Sequence, residues 1–276
     1  MGLRIATNTQ ALSAQRSLQT NRSMLQASFE KMSSGARITR AADDAAGLGI
    51  AEKMRAQIRS VRQDIRNAND GISMIQTAEG GMNEIGNILV RLRELSVQAA
   101  SDTVSDTERG FVNKEVDQLR EEIDRISQST EFNGKKLLNS NEGVLEIQVG
   151  VNSNPEDRFN LDVSKALTTT EHLGLSDINT INKESAQDNL ARLDNAINLL
   201  SGNRAELGAL QNRLQSSISN LQIYDENLTG ARSRIYDADM ATETAEMTKN
   251  QILSTAGAAI LSQANQNSTL ALKLIG

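Results

Sequence analysis

The sequence has no cysteine and no tryptophan, and only one proline, one histidine, two tyrosines and four phenylalanines in 276 residues. Without cysteine there is no disulfide, thiolate nucleophile or thiolate metal site, so packing alone must hold the chain. With Pro155 as the sole proline, the main breaker of long helices is nearly missing. Few aromatics leave Leu, Ile, Val, Met and Ala to be buried along helical seams. No apolar run reaches about 18 residues, which argues against a membrane-spanning helix. The opening MGLRIATN lacks the apolar stretch of a secretory signal. The expectation is a chain that is cytoplasmic or exported without cleavage, with no membrane insertion.

What is present is uneven charge and strong periodicity. Residues 1–66 hold 11 Lys/Arg and 5 Asp/Glu, a balance of +6; the other 210 hold 18 and 30, a balance of −12, giving −6 in all. A basic segment can attract nucleic acid or acidic lipid. Here the cations are spaced among Gln, Asn and Glu, so the expected partner is the acidic part of a neighbouring copy and not nucleic acid.

Ala51, Met54, Ile58, Val61, Ile65, Ala68, Ile72 and Ile75 alternate steps of three and four, and the seam resumes through Ala78, Met82, Ile85, Leu89 and Leu92. The repeated step of three at Ile72, Ile75 and Ala78 is a stammer. Leu207, Leu210, Leu214, Ser217, Leu221, Tyr224, Leu228, Ala231 and Ile235 form a second seam, preceded by Ala186, Leu190, Leu193, Ile197 and Leu200. Each seam needs an apolar partner, and each is most simply the other's. A helix over 45–100 spans about 80 Å at 1.5 Å per residue, which implies a rod. Ser105 and Glu108 form a capping box for a helix ending near Ser129. Ser185 with Asp188 is expected to cap the long helix that returns. Leu145, Ile147 and Val149, then Phe159, Leu161 and Val163, alternate with polar residues around a Gly/Asn/Pro loop, which predicts a β-hairpin at about 140–165. The fold class is therefore mainly α, a long antiparallel coiled-coil-like bundle with a small hairpin. Ile58, Val61, Ile65, Ile72, Ile75, Leu214, Leu221, Leu228 and Ile235 are its core seam.

The ends carry apolar faces with no evident partner inside that bundle. Leu18, Leu25 and Met32 lie seven apart, with Phe29 beside them. Leu253, Ala256, Ala259, Ile260 and Ala264 form a broad small-residue face, followed by Leu270, Leu272, Leu274 and Ile275. Ala256, Gly257, Ala258 and Ala259 permit close helix approach. Such helices are marginal alone in water, so both ends are expected to be largely disordered in a monomer and to fold against each other on assembly.

Candidate chemistry is sparse, and neither an enzyme nor a cofactor is expected. His172 stands alone, whereas a metal site needs several ligands. Asp43 and Asp44 are adjacent, so on a helix they diverge and suit N-capping or intersubunit pairing better than acid–base work. Gly47-Leu48-Gly49 lacks the Lys-Ser/Thr of a phosphate loop. Arg55, Arg59, Arg62 and Arg66 form a stripe that could grip phosphates. Glu52, Asp64 and Asp70 nearby make a solvated or intersubunit charge face the expectation.

Several stretches resemble the bacterial flagellin family: IATN at 5–8 with Ala11-Leu12, LQASFEKMSSGARI at 25–38, ADDAAGLGIA at 42–51, RLRELSVQA at 91–99, FNGKKLL at 132–138 and ANQ at 264–266. The likeness spans about 1–140 and 180–276. It departs at Ser268, where the family commonly has proline. The middle is also short, so the surface domains of larger flagellins are expected to be missing. The resemblance implies an extracellular homopolymer, the flagellar filament. It implies an inner, channel-lining domain from 1–42 and 239–276, with terminal helices that carry self-assembly, and an outer domain at 43–238. It further implies type III export, a C-terminal export chaperone, and a filament cap and hook-junction proteins as partners. Arg91, Leu95 and Glu115 match the patch that the vertebrate Toll-like receptor for flagellin binds in similar proteins. A minor flagellin or hook–filament junction protein is the alternative, and a type III secretion coiled-coil protein a more distant one.

Overall fold

The structure is a computed structural model that describes residues 7–139 and 143–273, with side chains through 266. Its contacts form two compact units, Met1–Ile58 with Asn227–Gly276, and Arg59–Glu226. The described helices are α1 (Thr9–Ser34), α2 (Ala45–Ala99), α3 (Asp106–Ser129), α4 (Lys183–Tyr236) and α5 (Met240–Lys273). Between α3 and α4 lie two antiparallel hairpins, β1 (Glu131–Phe132) with β2 (Lys135–Lys136), and β3 (Val144–Gln148) with β4 (Arg158–Asp162).

In the Arg59–Glu226 unit, ion pairs fix the direction of the helices. Arg62 meets Asp225 at 3.1 Å, Glu79 meets Arg204 at 3.6 Å and Arg93 meets Asp194 at 2.7 Å. Numbers rise on α2 as they fall on α4, so the two run antiparallel. α3 returns along α2, with Arg91 to Glu115 at 2.8 Å. Met82, Ile85, Leu89 and Leu92 of α2 share one core with Val116 and Ile123 of α3 and with Leu193, Leu200, Leu207 and Leu214 of α4. The α2 seam therefore has several partners, where its spacing alone suggested one.

The seam residues separate by depth. Ile58, Val61, Ile75 and Leu214 are buried, while Ile65, Ile72, Leu221, Leu228 and Ile235 are half-buried. After Leu214 the buried position is Ile218, not Ser217, and Tyr224 is 43% exposed. Buried positions keep strict seven-residue spacing from Ala186 through Leu193, Leu200, Leu207 and Leu214, and the next buried step is four residues where the expected seam takes three. At the stammer, Met74 and Ile75 are both buried.

Helix ends follow local chemistry. Ser105 accepts from the Glu108 N–H at 3.4 Å and its own N–H donates to the Glu108 carboxylate at 2.8 Å, closing the predicted capping box. The predicted cap at Ser185 is displaced: α4 begins at Lys183, and the Ala186 N–H already donates to the Asn182 carbonyl. The far end of α2 is held by Arg109, 7% exposed, whose Nε and Nη2 donate to the carbonyls of Ala99 and Ser101 at 2.8 and 2.9 Å. A cation among terminal carbonyls also suits the helix dipole.

The predicted hairpin forms, with Leu145 opposite Leu161 and Ile147 opposite Phe159; Val149 and Val163 lie just beyond the strands and are buried. It rests on α2 at Gly71, where a β-carbon would come within 2.8 Å of Ile147 Cδ1. The smaller hairpin turns through Asn133 and Gly134, both at positive φ, the backbone that an Asn-Gly pair favours.

Residues 167–182 have no helical pattern, yet they are docked. The Thr168 N–H donates to Leu138 O at 3.1 Å, Thr170 donates twice to Asp124 at 2.9 and 2.8 Å, and the Thr180 N–H donates to Asn113 Oδ1 at 2.8 Å. Leu175 and Ile178 of this strap are themselves buried.

Arg109→Gln should destabilise the Arg59–Glu226 unit by about 2 kcal/mol, because it leaves buried carbonyls short of donors. Urea denaturation followed by circular dichroism measures it; an unchanged midpoint would remove Arg109 from this role.

Candidate functional site

The other unit brings the chain ends together. Lys31 Nζ lies 3.3 Å from Glu243, the β-carbon position of Gly257 lies 3.3 Å from Leu18 Cδ1, and Asn8 Nδ2 donates to Ala264 O at 3.0 Å. α1 and α5 are thus antiparallel neighbours. The turns that precede and follow them are stitched as well. The Arg37 N–H donates to Tyr236 O at 2.7 Å, the Ala238 N–H donates to Gly35 O at 2.9 Å, and Arg37 Nη2 donates to Ile235 O at 2.6 Å. Ala36 and Ile38 are buried at this joint.

Asp44 caps α2, while Asp43 closes the turn that precedes it. Asp43 Oδ2 accepts from the Arg40 and Thr39 N–H groups and the Thr39 hydroxyl, each at 3.0 Å. These bonds, that from the Arg40 N–H first, hold its carboxyl below the usual value. Asp44 Oδ1 accepts from the Gly47 N–H at 2.8 Å, closing the first turn of α2.

The covered stripe of α1 is Ala11, Ala14, Leu18, Asn21, Leu25, Ser28 and Met32, in regular steps of three and four. That of α5 is Glu243, Met247, Asn250, Ser254, Gly257, Leu261 and Ala264, with the same spacing. This is a coiled-coil seam built largely of small and polar residues. Ser28, Glu243 and Asn250 are buried in it, and buried polar groups at such positions fix register at some cost in stability. Gly257 lets the two backbones approach beside Leu18.

Of the residues expected to mediate assembly, Leu18, Leu25, Met32 and Ala264 lie in this seam. Phe29, Leu253, Ala256, Ala259 and Ile260 do not; they face outward. The side chain of Leu272, like those of Leu270, Leu274 and Ile275, lies outside the described residues. Leu12, Met24 and Ile252 join the outward set, at 51%, 51% and 63% exposed. Their signal in the sequence was apolar character one helical step off the seam.

Elsewhere, Arg91 and Glu115 are an exposed ion pair, while Leu95 beside them is 2% exposed. In the arginine stripe, Arg55 pairs with Glu52, Arg62 with Asp225, and Arg66 hydrogen-bonds Gln63. His172 is exposed. Among the described residues no group of three His, Cys, Asp or Glu is placed to hold a metal, and no helix is long and apolar enough to cross a membrane.

Paired terminal helices in one unit, and an antiparallel helical bundle with a hairpin in the other, define a mainly helical protein of long paired helices. Comparisons supply its family. The bacterial flagellin N-terminal helical region matches residues 5–142 and the C-terminal helical region matches 190–275. The chain is 44% identical to the flagellin of Halalkalibacterium halodurans over 268 residues, covering 97% of this chain and 98% of that one. It is 44% identical to the flagellin of Bacillus subtilis over 303 residues, covering 99% and 100%. The crystal structure of Bacillus cereus flagellin superposes with a TM-score of 0.50 at 31% identity, over 56% of this chain and 88% of that one. The chain belongs to the bacterial flagellin family. It is a structural subunit of the flagellar filament, from a family of structural proteins rather than enzymes.

Gly257→Leu should push α5 off Leu18, an overpacking cost of roughly 1–3 kcal/mol. Hydrogen exchange should show α5 amides less protected and α3 amides unchanged; equal protection in α5 would mean that the close approach is not needed.

Proposed function

We propose that copies polymerise by heterologous packing of their terminal helices, supported by the helical core, with a rotation that does not close into a ring. The supporting observation is the outward apolar set on α1 and α5. Leu12, Met24, Phe29, Ile252, Leu253 and Ile260 are each between 42% and 63% exposed, and apolar surface gathered in this way marks an interaction site. The small, partly polar α1–α5 seam buries few large side chains, so the pair holds weakly by itself. Ordering it against neighbouring copies offsets the entropy of fixing the ends, which keeps monomers soluble while an existing filament end grows.

In this reading 1–42 and 239–276 form the channel-lining inner domain and 43–238 the outer wall. The family resemblance adds an extracellular location, type III export without a cleaved signal, a C-terminal export chaperone, a filament cap and hook-junction proteins. For the vertebrate Toll-like receptor, the accessible groups are Arg91 and Glu115; Leu95 is covered in this conformation. A minor flagellin would use the same contacts.

Ala259→Arg places a charge on the outward face without entering the α1–α5 seam. Seeded polymerisation viewed by electron microscopy should give no filaments, with circular dichroism of the monomer unchanged. Filaments of normal shape would refute this reading.

A further inference from the structure

Asp64 is a charged residue on the buried stripe of α2, between Val61 and Ala68. It is 5% exposed, and its Oδ2 is enclosed with no hydrogen-bond partner. A cleft separates it from the loop joining β3 and β4, with Asp64 and Asn67 on one wall and Gln148, Gly150, Asn152 and Arg158 on the other. The Ser60 and Ser153 hydroxyls line the same cleft without reaching Asp64 Oδ2, and the amide and guanidinium groups there are engaged elsewhere. Asn67 donates to Gln148 O at 3.1 Å, and Gln148 donates to Gly150 O at 2.6 Å and Asn152 O at 2.8 Å. Gln63 donates to Asn67 at 2.8 Å, and Arg158 pairs with Glu146 at 3.0 Å.

The charged groups around Asp64 offer it no relief. From the loop side comes Asp157, a second carboxylate, whose side chain accepts from the Asn152 N–H at 3.2 Å. Arg158 on the same hairpin is paired, as just described. The neighbouring cation of α2, Arg62, is taken up by Asp225 of α4 at 3.1 Å. On α2, Arg66 is engaged by Gln63.

We propose that Asp64 is a proton-operated catch for the β3–β4 loop: while its carboxyl is neutral the loop lies closed on α2, and ionisation drives the loop off. An isolated buried carboxylate is costly unless paired, and moving the loop wall of the shared cleft away would widen the access of water to it. Burial pushes the Asp64 carboxyl above the usual range, and the Asp157 charge adds to this. The closed state therefore binds the proton more tightly than the open one. Closure is strongest below the ordinary Asp value of about 3.9 and weakens as pH rises through the raised one. The inference does not depend on how copies assemble.

The test is hydrogen exchange by mass spectrometry on the full-length monomer from pH 4 to 8, corrected for intrinsic rates. Amides of 149–157 are followed, and those of 85–95 serve as reference. In the wild type, loop opening should rise by about tenfold for each unit by which the closed-state value exceeds the ordinary one, with the reference unchanged. Asp64→Asn should keep the loop closed across the range. Asp157→Asn should move the transition to lower pH. A flat wild-type profile, or an Asp64→Asn profile that tracks the wild type, overturns the proposal.

Discussion

The constraint on which the structure depends is the pairing of the first half of the chain with the second, in reverse order. Lys31 meets Glu243, Arg62 meets Asp225 and Arg93 meets Asp194. Within each unit, a helix from one end of the sequence finds its apolar or small-residue partner in a helix from the other end. Heptad spacing makes this arrangement low in energy, because it keeps one face of each helix in contact along its length. The hairpins and the strap at 167–182 occupy the interval where the chain reverses.

The two pairings are built differently. Around α2 and α4 the covered positions are large: Met82, Ile85, Leu89 and Leu92 against Leu193, Leu200, Leu207 and Leu214. Between α1 and α5 they are largely small or polar, with Ser28, Asn250 and Gly257 on the seam. The first kind of seam makes a stable unit. The second spends few large apolar residues on itself and leaves Phe29, Ile252 and Ile260 exposed. That division of labour fits the proposed packing of the terminal helices against other copies.

Much of this was legible because period carries the information. The α2 stripe, the capping box at Ser105 and the alternation from Leu145 to Leu161 are local patterns with direct physical meaning. Tyr224 departs from the expected seam because the buried step after Leu214 is four residues, to Ile218, and not three. Which face of α5 meets α1 does not follow from hydrophobicity: Leu253 and Ile260 are exposed, whereas the covered residues include Glu243, Asn250 and Gly257. Nothing periodic marks 167–182. Its order comes from hydrogen bonds to Asp124, Asn113 and Leu138 in distant elements, and a sequence does not display such partners. Asp64 stands in the sequence only as one acid beside an arginine stripe, since the cleft it lines is completed by residues 148–158 of a distant hairpin.

The bond from Asn8 to Ala264 joins residues 256 positions apart. A helix pair closed by such a contact cannot begin to form until nearly the whole polypeptide is available, and its loop-closure entropy is among the largest a chain of this size can meet. A molecule emerging from a ribosome, or threading from a narrow conduit with either end leading, would have to hold one sticky helix idle until its mate arrived. The joining of the ends is therefore a late step, open only to a chain whose two terminal helices are both present.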